Sequence, residues 1–182
     1  MATRRRTSRR LRRGFTMVEL LAVVAMIGIL AAIAVVGYQK YFRASFIGEA
    51  KDVVGAIRTA QTLYKSETLG YLNCSGSVTN WYPAAPDGKP RHFNNPGHAN
   101  YDCWKQLNVV TDAPTRFGYS VVAGAPGQQV PAPSTLQKPQ WPTTTEPWFI
   151  VQAAGDQNKN GVFSYVLSSS FSGELYVENE YE

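Results

Sequence analysis

The 182-residue sequence predicts an α+β fold: a long N-terminal α-helix, transmembrane along its first half, packed on a C-terminal antiparallel β-sheet. Three observations carry this reading. Leu20 to Tyr38 runs for nineteen residues without a charge. Apolar or small residues then recur at helical spacing from Phe42 to Tyr64. Four β-prone segments follow residue 116, separated by turn-rich stretches. All eleven prolines lie at or after Pro83, so the two halves differ in composition as well as in pattern.

The first element is a basic arm containing Arg4, Arg5, Arg6, Arg9, Arg10, Arg12 and Arg13. From Phe15 onward, eleven basic residues face thirteen acidic ones. The overall charge of +5 therefore belongs to the arm, and no nucleic-acid-binding body is indicated. The apolar run after the arm covers roughly 28 Å as a helix, close to the ~30 Å hydrocarbon core of a bilayer. Arginines on one flank hold that flank in the cytoplasm and place the C-terminal bulk on the other side. A simple membrane anchor fits this run, as does a secretory signal cleaved at Ala32-Ile33-Ala34. Neither accounts for Glu19, a carboxylate inside the apolar stretch that costs about 2.5–3.5 kcal/mol there. The helical pattern also continues past Ala34 without the extended segment that signal cleavage requires.

Gly14-Phe15-Thr16-Met17-Val18-Glu19, followed by Leu20 to Tyr38 with its run Ile27 to Ala34, resembles the N-terminus of type IV prepilins. The resemblance implies that a membrane-embedded prepilin peptidase cuts between Gly14 and Phe15 and N-methylates Phe15. It implies that Glu19, five residues into the mature chain, guides assembly. Residues 1–14 are then a cleaved leader, short as in the type IVa group. Residues 15–38 form the transmembrane and later fibre-core helix. The mature chain waits in the inner membrane with its C-terminus outside the cytoplasm. An assembly ATPase and a platform protein polymerise it into a helical surface filament of identical subunits, used in motility, adhesion or DNA uptake. The physics of Glu19 agrees, because a buried carboxylate needs a positive partner. Cleavage creates one, the α-amine of Phe15, on a neighbour or on the same chain. The sequence departs from the family at Val36, where type IVa pilins usually carry proline. Gly28 and Gly37 each weaken the helix by about 1 kcal/mol relative to Ala, but a proline kink is not implied.

Two other readings stand beside a filament subunit. One is a pseudopilin of a type II secretion system, or a minor pilin. The other is a membrane-anchored or secreted binding or enzymatic domain. No G-x-S-x-G, Walker loop or H-E-x-x-H occurs, so no catalytic set supports the latter.

Residues 39–66 continue as an amphipathic helix with Phe42, Phe46, Ala50, Val53, Ile57, Ala60 and Tyr64 on one stripe. Joined to the apolar part, this predicts one helix from Phe15 to Ser66, roughly 78 Å long. Residues 67–116 form a polar loop region packed by its own aromatics and holding Cys74 and Cys103. In an exported domain these two can bridge, for roughly 3–4 kcal/mol. The pilin family's usual disulfide lies nearer the C-terminus. His92 and His98 between the cysteines raise a zinc alternative with unfamiliar spacing.

Residues 117–182 supply the sheet. Its strands are expected at Phe117–Val122, Trp148–Ala154, Val162–Ser168 and Glu174–Val177, with an extended surface loop from Gly124 to Pro147. Asn160-Gly161 predicts a hairpin turn. Asp156, Asn158, Asn160 and the Val162 carbonyl match the first half of a calcium loop, but its twelfth position is Leu167 and not Glu. A polar turn explains the same residues, so no cofactor is required and calcium is the one candidate.

Overall fold

The structure, a computed structural model, describes residues 14–180. The leader, with its seven arginines, lies outside the described residues apart from Gly14. The element order is α1 (Met17–Thr68), α2 (Tyr101–Leu107), β1 (Gly118–Gly124), β2 (Trp148–Gly155), β3 (Ser164–Ser169) and β4 (Ser172–Glu178). The chain divides into two compact units, one up to Gln39 and one from Lys40 onward.

The first unit holds the apolar part of α1. Every described side chain in it is exposed, and none of its most apolar window is buried. A helix that is apolar and exposed on all sides needs an apolar surrounding. The helix passes through Val36 and Gly37 without interruption.

The second unit is a four-stranded antiparallel meander in the order β1-β2-β3-β4, covered on one face by the remainder of α1. Val121 pairs with Val151, Ala153 with Val166, and Val166 with Val177, which keeps one apolar row on the helix side. That row meets Ile47, Ala50, Val53, Val54 and Ile57 of α1. The helix face is therefore rotated from the sequence reading. Ala50, Val53 and Ile57 are buried as expected, but Phe42 is exposed and Phe46, Ala60 and Tyr64 are only half-buried. The unexpected members are Ile47, Val54 and Gln61. Gln61 is buried because its amide donates to the Leu72 carbonyl (2.6 Å) and accepts from the Leu72 N–H (2.9 Å). A polar side chain thus replaces a backbone partner and turns the chain back after the helix.

Residues 124–147 were expected as a surface loop. They form that loop, without helix or strand after Gly124, and through Val130 and Trp141 it also covers the second face of the sheet, where every residue of β2 is buried. Val130 and Trp141 pack with Val122, Trp148 and Ile150. Buried Gln152 fastens this cover: its carbonyl accepts from Ser134 N (3.0 Å) and its amide donates to Ser134 Oγ (3.0 Å) and to the Val78 carbonyl.

Two turns also differ. Asn160-Gly161 does not close a two-residue hairpin, because β2 and β3 are already separated beyond the Gly155–Ser164 pair. Residues 156–163 form a wider loop around Asp156, whose carboxylate accepts from Asn160 N (3.2 Å) and Gly161 N (2.9 Å). The tight turn lies instead at Ser170-Phe171, between Ser169 and Ser172. The loop region 67–116 contains a short helix the sequence reading missed, α2, which inserts Trp104 and Leu107 into the core. Trp104 stacks on Tyr82 with ring centroids 4.9 Å apart.

Candidate processing and assembly site

Gly14, Phe15 and Thr16 precede the first turn of α1 and are exposed. A Cβ added at Gly14 would meet nothing within 4 Å. Nothing in the fold asks for glycine here, so the requirement, if there is one, comes from a molecule that reads this position. Phe15 is 82% exposed, which makes it a poor structural residue and an accessible one.

Thr16 is the N-cap of α1. Its hydroxyl accepts from Glu19 N (3.2 Å), and Glu19 Oε2 accepts in return from Thr16 N (3.2 Å) and Thr16 Oγ1 (3.1 Å). This reciprocal arrangement satisfies donors at the helix start that would otherwise be orphaned. Glu19 stands out in the sequence through its charge, whereas the role of Thr16 is carried by the weaker signal Thr-x-x-Glu before an apolar run. A carboxylate in the first turn is also favoured by the positive end of the helix dipole. Among the described residues the other oxygen, Oε1, accepts no hydrogen bond. The capped conformation therefore uses one oxygen and presents the second to a further donor. An ammonium at residue 15 would sit at the same positive helix end, where it is disfavoured unless an anion offsets it.

The remaining candidates fall in the second unit. Cys74 and Cys103 are joined by a disulfide with Cα atoms 5.3 Å apart, one on the chain after Gln61's anchor and the other on α2. With both thiols in that bond, the zinc alternative has lost its sulfur ligands. His98 accepts from Asn100 N through Nδ1 (3.1 Å) and meets the Trp81 carbonyl through Nε2 (3.0 Å), so Nε2 carries the proton. His92 is exposed. Among the described residues no group of three or more His, Cys, Asp or Glu side chains comes together. The Asp156 loop is closed by its own hydrogen bonds: Asn158 Oδ1 accepts from Asn160 N (2.9 Å) and Asn160 Oδ1 from Val162 N (2.7 Å). Leu167, where a bidentate carboxylate would be needed, is buried in β3.

Comparison with known proteins gives one family-model match, which lies in the first unit, and longer matches to pilin and fimbrial proteins. Residues 9–35 match the family described as the prokaryotic N-terminal methylation motif. The type IV major pilin protein PilA of Myxococcus xanthus is 44% identical over 102 residues, 56% of this chain and 44% of that protein. The type IV major fimbrial protein FimA of Dichelobacter nodosus is 50% identical over 50 residues, 28% of this chain and 32% of that protein. A fimbrial protein of Pseudomonas aeruginosa is 50% identical over 48 residues, 26% of this chain and 31% of that protein. The matched stretch spans less than half the length of each of these relatives. No solved structure matches the chain.

Proposed function

We propose that this chain, a type IV pilin by its N-terminal segment and its α+β fold, is the structural subunit of a surface filament. The observation that carries the reading is the Gly14-Phe15-Thr16 start before the apolar part of α1, in which Glu19 is the single charge up to Gln39. Prepilin peptidase cuts between Gly14 and Phe15 and methylates the new amine. The helix then holds the subunit in the inner membrane, with the disulfide-bonded unit outside the cytoplasm. An assembly ATPase and platform protein draw it into the filament.

The chemistry of the assembly step follows from the cap. Lipid surrounds the apolar helix before assembly, and equivalent helices of other copies surround it afterwards. In either medium an unpaired Glu19 carboxylate is costly. Oε2 is held by Thr16, and Oε1 accepts from the Phe15 ammonium of a neighbouring subunit. Registering one subunit on the next by this pair fixes the axial step of the fibre. The similarity to proteins named as major pilins favours an abundant subunit over a minor pilin or a pseudopilin. Shearing cells tests this directly: long fibres in which this protein dominates are expected. Its retention in the cell envelope without surface fibres would favour the pseudopilin reading. Calcium at Asp156, Asn158, Asn160 and the Val162 carbonyl would have to compete with the N–H groups those side chains now accept. A melting temperature unchanged by calcium and by chelator dismisses it.

A further inference from the structure

The uncharged run gives way at Lys40, and the turn of helix that follows is Lys40, Tyr41, Phe42 and Arg43. Lys40, Tyr41 and Phe42 are exposed, Tyr41 by 78%. Lys40 and Arg43 lie three residues apart and share a helix face. Phe46, three residues further along that face, carries a third cation: the Arg116 guanidinium sits 4.6 Å from its ring centroid. Among the described residues none of the three cations forms a salt bridge. The Arg116 side chain donates to the Gly88 carbonyl (3.4 Å), and Glu49 accepts the Arg116 backbone N–H (3.0 Å).

From Phe15 onward the chain carries more acid than base, so its overall charge does not draw the second unit to an anionic surface. This local cluster does. Cations flanked by exposed aromatic rings suit the headgroup level of a bilayer, where rings sit amphipathically and basic side chains meet phosphate. We propose that Lys40, Arg43 and Arg116, with the rings of Tyr41 and Phe42, form a collar that docks the second unit on the anionic phosphates of the membrane surface. The collar rests on the reading that the preceding segment spans the bilayer. It goes beyond that reading by giving the unit outside the membrane a partner of its own, anionic phospholipid. Entry into a filament must then break these contacts.

The test uses the full chain in lipid discs, either phosphatidylcholine alone or with about a third of phosphatidylglycerol carrying a photoreactive headgroup. Labelling is expected at residues 40–46 and at Arg116. The Lys40→Gln/Arg43→Gln variant, which changes no buried side chain, should lower that labelling roughly fivefold or more. Raised salt should act in the same direction. Arg116→Gln is measured separately because Arg116 packs on Phe46, and circular dichroism checks its fold. Equal labelling in the double variant, or labelling confined to other parts of the second unit, overturns the collar. Resistance to alkaline extraction separates the two ideas. A chain extracted at high pH contradicts the membrane-spanning reading itself, whereas an embedded chain without labelling at the collar contradicts only the docking surface.

Discussion

Glu19 caps the helix with Oε2, and the proposed pairing with an ammonium would fall to Oε1, which accepts no hydrogen bond among the described residues. Substitutions separate the tasks. Glu19→Gln keeps the box, since glutamine serves at this position, but removes the charge. If the pair with Phe15 drives assembly, sheared filament should fall roughly a hundredfold or more in both Glu19→Gln and Glu19→Ala, because breaking a buried pair costs about 3–5 kcal/mol. Filament restored by Glu19→Gln would reduce Glu19 to a cap. Thr16→Ala should cost about 0.5–2 kcal/mol of helix start and give a milder loss, which Thr16→Ser repairs. In the second unit, burial pushes the Tyr119 hydroxyl above its ordinary value even though Thr115 hydrogen-bonds it at 2.7 Å. Burial also raises Tyr82. A raised tyrosine helps the fold below its unfolded value near 10 and loses that help as the pH climbs beyond it. Thermal melting should therefore decline from about pH 10 upward, and Tyr119→Phe should flatten the decline. At this scale Glu19 stands out because a charge in an apolar run demands a reason, whereas Gly14 and Phe15 enter through the resemblance to prepilins. The capping role of Thr16 is legible in Thr-x-x-Glu but is overshadowed by the charge of Glu19.

At the scale of elements, the sequence locates α1 and all four strands but not what covers them. Helical spacing tells which residues share a stripe, yet two neighbouring stripes, one through Phe42 and one through Ile47, both look apolar. The sheet selects the second because Ile47 and Val54 reach its row and Phe42 does not. Melting of the full chain in detergent checks this: Ile57→Ala should cost about 2–5 kcal/mol, and Phe42→Ala less than about 1 kcal/mol. The proline-rich cover over β2 was illegible for another reason. Prolines mark extended backbone but carry no periodicity that would show which face lies inward. Helix α2 is too short for periodicity to register, and its anchors, Trp104 and Cys103, are defined by distant partners. Gly88 illustrates a tertiary demand of the same sort. Its φ of +70° is left-handed, and an added Cβ would strike the Asp156 carbonyl. Gly88→Ala should therefore destabilise the loop that Asp156 organises, by roughly 1–3 kcal/mol in the same melting experiment.

For the molecule as a whole, each unit is explained by what surrounds it. The first has an apolar helix with no buried side chain, a stable arrangement only in lipid or among copies of itself. The second has a core on both faces of its sheet, and its disulfide, joining cysteines 29 positions apart in sequence, ties α2 to the chain after α1. Reducing that bond, or replacing both cysteines with serine, should lower stability by about 3 kcal/mol without changing where the precursor is cut. Both the free Phe15 amine and its proposed pairing with Glu19 begin with the cut itself. Intact mass and N-terminal sequencing of the protein from sheared filaments should show a chain that begins at N-methylated Phe15. A subunit that begins after Ala34, or that retains Gly14, would contradict it.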